Sequence, residues 1–271
     1  MVKKNISIKS NKVMEKIKMS QSLLKILHEY KQGLECGSII RAKYIYKMPF
    51  ESTELQELGN YFEYLCTGSL ARDGHTPNPV TLKNGNLSVG YQRMKKQKEN
   101  YDKIIEKYQF KVLEIDYNFK DDNFSGIADV IALKDGKKCI IDIKTTSLID
   151  DKWTDYGWSS ESIEQKDKLH IQAVHYKMLA MKEWGISDVP FYFFVFSNRN
   201  EIDCLIYEVQ VDEDAFFRHE ENMINGLKFF NKELINGFKN YPSIKKCNNC
   251  PLKANCKDFT EIPKIEKIYY S

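Results

Sequence analysis

Apolar side chains recur at helical spacing in some stretches of the chain and alternate with polar ones in others. Leu23, Leu24, Ile26, Leu27 and Tyr30 predict a helix beginning near Ser20, with Ser20 or Ser22 able to cap it and Gly33 as its stop. A second helix is expected over 52–66, with Leu55, Leu58, Tyr61, Phe62 and Leu65 on its buried side. Gly59 inside it costs roughly 1 kcal/mol relative to alanine, which suggests close packing there. Residues 72–90 carry Gly, Asn and Pro at short intervals and read as a long connection. A helix over 92–108 and an alternating strand over 110–118 follow. Two β-rich apolar runs, 126–133 and 139–146, flank an Asp135-Gly136 pair, the pattern of a hairpin. Beyond them lie a helix over 169–184, strands over 191–197 and 204–211, and a long helix over 212–238 that opens on acidic residues. Helices first, then three strands, a helix, two strands and a helix make an α/β chain with a mixed central sheet flanked by helices.

Composition narrows this picture only a little. A chain of 271 residues suffices for one large domain or a domain with an appendage. We expect a basic arm over 1–19, a domain over 20–240 and a cysteine-bearing segment over 241–271 that packs back on the N-terminal part. No run approaches the length of a membrane span, and Met1-Val2-Lys3-Lys4 leads into polar residues, so a cytoplasmic location without membrane association is expected. Seven cysteines, an odd number, favour free thiols and a metal site over a disulfide framework. The formal net charge of +3 permits nucleic-acid binding without demonstrating it. Arg93, Lys95, Lys96, Lys98 and Lys103 make the 92–108 helix basic, either as a solvated face or as a rail for backbone phosphates. Trp153, Tyr156 and Trp158 sit in a non-periodic stretch and could stack on bases or pack the loop onto its own domain.

Several side chains invite a chemical reading. In the run 139–146, period-two geometry puts Asp142 and Lys144 on the same face as Ile140. Two charges at the end of an apolar strand are costly unless each has a partner. Asp129, in the companion run, can bring a second carboxylate, and two carboxylates beside a lysine suit a magnesium ion. The alternative is an ordinary solvent-facing pair on an edge strand. Gln172 and Tyr176, four apart, share a helix face, whereas His170 and His175 read as structural. Near the C-terminus Cys247, Cys250 and Cys256 follow C-x2-C-x5-C spacing in a segment too short for its own core, and metal ligation explains them. Three thiols leave one ligand missing for tetrahedral zinc or an iron–sulfur cluster.

Taken in order, Gly126-x-x-Asp129, the hairpin, Asp142-x-Lys144-Thr145 and Gln172-x-x-x-Tyr176 resemble the RecB-like branch of the PD-(D/E)XK nuclease superfamily. The C-x2-C-P-x4-C tail, with one cysteine far upstream, looks like the AddB nuclease and the CRISPR-adaptation exonucleases, which carry a 4Fe–4S cluster. The resemblance implies a restriction-endonuclease-like core and Mg²⁺- or Mn²⁺-dependent exonucleolytic hydrolysis of DNA, single-stranded or at duplex ends. It implies metal ligation by Glu63, Asp129, Asp142 and the carbonyl of Ile143, a catalytic Lys144, and positioning by Gln172 and Tyr176. Glu63, four after Gly59, stands where that branch has a histidine; a carboxylate suits the same hard cation. Cys36 takes the place of the fourth cluster ligand, with Cys66 its rival and zinc the alternative occupant, and the cluster would act as a staple. Gly37 departs from the proline usual after that first cysteine. The chain lacks a G-x-x-x-x-G-K-[ST] helicase motif. A non-catalytic or partner-dependent DNA-binding subunit of a recombination or CRISPR complex is the other reading.

Overall fold

A computed structural model describes residues 16–71, 74–147, 149, 163–241 and 247–256. Trp153, Tyr156 and Trp158 lie outside the described residues, as does the side chain of His170. In chain order the elements are β1 (Met19–Ser20), α1 (Gln21–Lys31), α2 (Gly37–Ile40) continuing as a π-turn (Arg41–Ile45), α3 (Glu54–Thr67), α4 (Val89–Lys107), β2 (Lys111–Asn118) and β3 (Phe124–Ser125). They are followed by β4 (Ile127–Lys134), β5 (Lys137–Thr146), α5 (Ile163–Trp184), β6 (Phe191–Ser197), β7 (Cys204–Glu208) and α6 (Glu213–Asn236).

The hairpin sets the sheet. Asp135 (φ 51°) and Gly136 (φ 76°) both take the left-handed conformation that a two-residue turn with the right twist demands. β4 and β5 therefore pair antiparallel, and the five strands run in the order β2-β4-β5-β6-β7. β6 lies parallel to β5 and antiparallel to β7. All seven of its residues, Phe-Tyr-Phe-Phe-Val-Phe-Ser, are buried, as expected of a central strand covered on both faces. Odd and even positions serve different cores. Ile140 and Phe193 pack with Leu23, Leu27, Leu179 and Met223 under α1, α5 and α6. Ile141 and Phe194 pack with Phe62 and Met94 under α3 and α4. Truncating a ring such as Phe193 to alanine would cost about 3–5 kcal/mol.

The mixed α/β architecture matches the sequence expectation, and helix ends shift by a few residues. Ser20 does cap α1, its side chain accepting the N–H of Leu23 at 3.1 Å. Thr53 and Gln56 form a reciprocal capping box at the start of α3. Two details differ. Leu55 is 69% exposed, because α3 begins with three solvent-facing residues, Glu54 to Gln56, and full burial starts only at Leu58. At Gly59 an added Cβ would meet only Thr145 Oγ1, at an ordinary 3.5 Å, so close packing does not explain that glycine. Order also begins before residue 20: Met19 is fully buried, and its N–H donates to Asn123 O at 2.8 Å in the small β1–β3 pair. Among the described residues, no helix is long and apolar enough to cross a membrane.

Candidate active site

The site forms where β4 and β5 part. Their paired register runs from Lys134–Lys137 to Val130–Ile141 and stops there. Beyond that point Asp129 Oδ2 accepts the N–H of Ile143 at 2.8 Å, so a side chain takes the place of the next backbone acceptor. Asp129 thereby stays beside Asp142, one residue past the last pair. Asp142 is fully buried at the end of an apolar strand, where a bare carboxylate would be prohibitive. Gln172 Nε2 on α5 donates to its Oδ1 at 2.7 Å, and Lys144 forms an ion pair with its Oδ2.

Electrostatics tie the rest together. Burial by itself would lower the Lys144 pKa, but the Asp142 and Asp129 carboxylates outweigh it and raise that pKa, so the ammonium stays charged. Burial pushes the Glu63 carboxyl up to about 8, with Asp129, Asp142 and Asp116 adding to the rise and Lys144 opposing it. Glu63 comes from α3, on the opposite side of the sheet from α5, and meets the others at the gap between the strands. Burial also pushes the Tyr176 hydroxyl up to about 12, helped by Asp142 and Asp129, so it remains a neutral donor.

Gly126 fixes the approach of α5. A Cβ there would lie 2.8 Å from Leu179 Cδ1 and 3.0 Å from Tyr176 Cε1, so only glycine lets the start of β4 sit against that helix. Glu63, Asp129, Asp142, Ile143, Lys144, Gln172 and Tyr176 thus share one locality. Among the described residues, no group of three His, Cys, Asp or Glu side chains is already arranged to hold an ion. Both Asp142 oxygens and Asp129 Oδ2 are engaged, by Lys144, Gln172 and the Ile143 N–H. Three converging carboxylates, one of them raised to about 8 largely by burial and its acidic neighbours, are nonetheless a donor set that suits a hard divalent cation.

Sequence reasoning missed Asp116. Between the paired positions Ile115–Val130 and Tyr117–Ala128 it falls opposite Asp129, which aligns Asp116, Asp129 and Asp142 across three strands. Its φ of 51° is unusual for a strand residue, and the buried Ser69 hydroxyl donates to its Oδ2 at 2.5 Å. In an alternating strand it reads as one more solvent-facing acid, and only the register reveals its neighbours.

The four candidate cluster cysteines are brought to one place. Cys36, Cys247, Cys250 and Cys256 all line a cavity of about 700 Å³, together with Ile39, Phe50 and Tyr241. Burial raises the Cys250 thiol pKa; the Leu252 backbone lowers it, and Cys247, Cys256 and Cys36 add to the rise. Cys66 lies elsewhere on α3, where burial raises its pKa among Lys98, Asp102 and Glu63. Gly37 also finds its reason here. Its N–H donates to Lys239 O at 3.1 Å, and a Cβ would strike the Phe238 and Lys239 carbonyl oxygens at 2.6 and 2.5 Å. Arg41 reinforces the junction by donating to Asn240 Oδ1 at 3.0 Å and to the Phe238 carbonyl.

The architecture is that of an α/β protein with an acidic site at the divergent end of its central hairpin. No family model matches the chain, and no curated protein matches it. Among solved structures, it is similar to a crystal structure from Eubacterium rectale, provisionally described as an exonuclease. The two are 19% identical over 92% of this chain and 91% of that one, with a TM-score of 0.62. An alkaline exonuclease from Laribacter hongkongensis is 11% identical, covering 80% and 90% of the two chains with a TM-score of 0.36. The first likeness shows a fold shared along nearly the whole of both chains.

Proposed function

We propose that this chain is a divalent-metal-dependent nuclease that hydrolyses phosphodiester bonds in DNA. The observation that carries the reading is the meeting of Asp129, Asp142, Glu63 and Lys144 where β4 and β5 separate, with Gln172 bonded to Asp142. The exonuclease description of the Eubacterium rectale protein, which shares the fold, supports it.

Glu63, Asp129, Asp142 and the carbonyl of Ile143 would hold Mg²⁺ or Mn²⁺. Such an ion, when bound, polarises the phosphate and eases deprotonation of water. Lys144 stays protonated, orients the attacking water and stabilises charge growing on the phosphate oxygens. Gln172 keeps Asp142 in one orientation, and the neutral Tyr176 hydroxyl can donate to substrate. The substrate is a single strand or a duplex end, and the action exonucleolytic. Cys36, Cys247, Cys250 and Cys256 would hold a 4Fe–4S cluster, for which four thiols around one cavity are a suitable donor set, with zinc as the alternative. The group would fasten the N-terminal part to the C-terminal segment. Cleavage of end-labelled DNA by anaerobically purified protein, with and without Mg²⁺ or Mn²⁺, tests the reading. Metal-dependent release of nucleotides from an end supports it, and no cleavage of any DNA under these conditions refutes it.

A further inference from the structure

The turn over 198–203, between β6 and β7, is fixed far more firmly than its place on the surface requires. The Ser197 hydroxyl accepts the N–H groups of Arg199 and Asn200 at 3.1 and 3.2 Å. Asn200 Oδ1 accepts those of Ile202 and Asp203 at 3.1 and 2.8 Å. From beneath, the fully buried Gln97 of α4 aims its amide nitrogen at the carbonyls of Ser197, Asn200 and Asp203, at 3.2, 3.1 and 3.0 Å. Asn100 holds that glutamine in turn, donating to Gln97 Oε1 at 2.8 Å and to Glu201 O at 2.9 Å. An amide nitrogen has two hydrogens for these three carbonyls, so the turn converges on one buried side chain.

This rigid turn stands at the end of the sheet where the acidic site opens. Asn198 N–H donates to Thr146 O at 2.8 Å, two residues past Lys144 on the same strand. Lys144 pairs with Val195, so Arg199 lies four residues beyond the level of the catalytic lysine, at most about 13 Å along the strand direction. Arg199 is exposed and belongs to none of the ion pairs among the described residues. Some surface cations pair, as Lys98 does with Asp102 and Lys182 with Glu220, while Arg93 and Lys103, like Arg199, belong to none of the ion pairs among the described residues.

We propose that Arg199 is a phosphate-binding residue for the DNA strand, holding the backbone a few nucleotides from the scissile bond. This rests on the nuclease reading and deepens it. A guanidinium can take two phosphate oxygens at once. A backbone already fixed by Gln97 and Ser197 removes the backbone share of the ordering cost of that contact. At roughly 3.4 Å per stacked nucleotide, that offset corresponds to at most about four nucleotides along the strand.

The test compares the full-length wild type with Arg199→Ala and Arg199→Lys, using a labelled DNA oligonucleotide. KM and kcat are measured with Mg²⁺ or Mn²⁺. DNA affinity against salt concentration is measured for each form in a cleavage-deficient Lys144→Ala background. Arg199→Ala should raise KM about tenfold with kcat little changed and an unaltered melting temperature. It should also reduce the slope of log affinity against log salt by about one. Arg199→Lys should restore the slope and only part of KM. An Arg199→Ala protein that cleaves with unchanged KM and salt slope overturns the proposal and leaves the nuclease reading intact. Should the wild type not cleave, the binding measurement still decides, since a reduced slope supports the contact while the nuclease reading falls, and equal slopes reject the contact.

Discussion

Asp129 Oδ2 accepts the backbone N–H of Ile143 at 2.8 Å, a contact that serves the fold and, in the proposed nuclease, the chemistry as well. It caps the point where the hairpin ladder stops, and it keeps one carboxylate alongside Asp142. The two roles separate by substitution. Asp129→Asn keeps an oxygen for the Ile143 N–H while losing the charge, so stability should stay near wild type and cleavage should disappear. Asp129→Ala should also lose stability, by about 1–2 kcal/mol, because the N–H is left without its acceptor. Denaturant titration alongside a cleavage assay checks both, and an active Asp129→Asn protein would contradict the ligand role.

Gly126 allows β4 to touch α5, and its replacement should be felt at Tyr176. Gly126→Ala forces a methyl against Leu179 and Tyr176, and the expected loss is about 1–3 kcal/mol with a fall in activity. Gly59→Ala, where the methyl meets Thr145 Oγ1 at an ordinary distance, should be neutral or stabilising. Melting temperatures of the two variants give the comparison.

His175 and His219 form a buried pair which burial keeps neutral, and in that state the bonding fixes both tautomers. His175 Nε2–H donates to Ser125 O at 2.9 Å, which makes its Nδ1 the acceptor for His219 Nε2–H at 3.1 Å. Burial lowers His175 to about 4, and burial with the neighbouring ring lowers His219 to about 3. Both folded values lie below the ordinary 6.5, so as pH falls through 6.5 the unfolded chain takes up protons that the native state refuses. The pair's contribution to stability should be full above pH 7 and decline from pH 6.5 down to about pH 4, by up to roughly 3 kcal/mol for His175 alone, against the opposite trend from Glu63, whose pKa of about 8 adds stability as pH falls. Melting curves across that window should show a smaller loss toward acid in His219→Gln than in wild type. Melting temperatures that follow the same pH course in the two proteins would contradict the buried neutral pair.

The cysteine assignment separates Cys36 from Cys66. Anaerobic protein should be brown, and Cys36→Ser should lose the colour and melt at lower temperature, because closing a loop of this length restrains the unfolded chain. Cys66→Ser should keep the colour. Stoichiometric zinc without iron would refute the cluster and leave the nuclease reading untouched.

The hairpin, the five strands of the sheet and the long helices were legible because strong period-two and helical patterns agree with local turn and cap chemistry. Asp135-Gly136 and the acidic start of α6 are examples. Order at Met19 was not legible, since a two-residue strand has no period and its backbone partner, Asn123, is over a hundred residues away. Leu55 misled because helical spacing does not say where the packed partner ends. At the site, Asp129, Asp142 and Lys144 could be read from one hairpin, which encodes their neighbourhood locally. Asp116 and Arg199 could not, because their proximity is set by the β2–β4 register and by a turn that Gln97 holds from another helix.

Asp142 and Lys144, joined as an ion pair in β5, are the two residues on which the proposed metal-dependent phosphodiester hydrolysis rests. Its most direct test is the rate at which wild type, Asp142→Asn and Lys144→Ala release nucleotides from end-labelled single-stranded DNA across a Mg²⁺ or Mn²⁺ titration, with folding checked by circular dichroism. The wild type should cleave only with metal, and both variants should be folded, bind DNA and fall at least about a hundredfold in rate. Undiminished cleavage by either folded variant, or equal cleavage by the wild type in chelator, would contradict it.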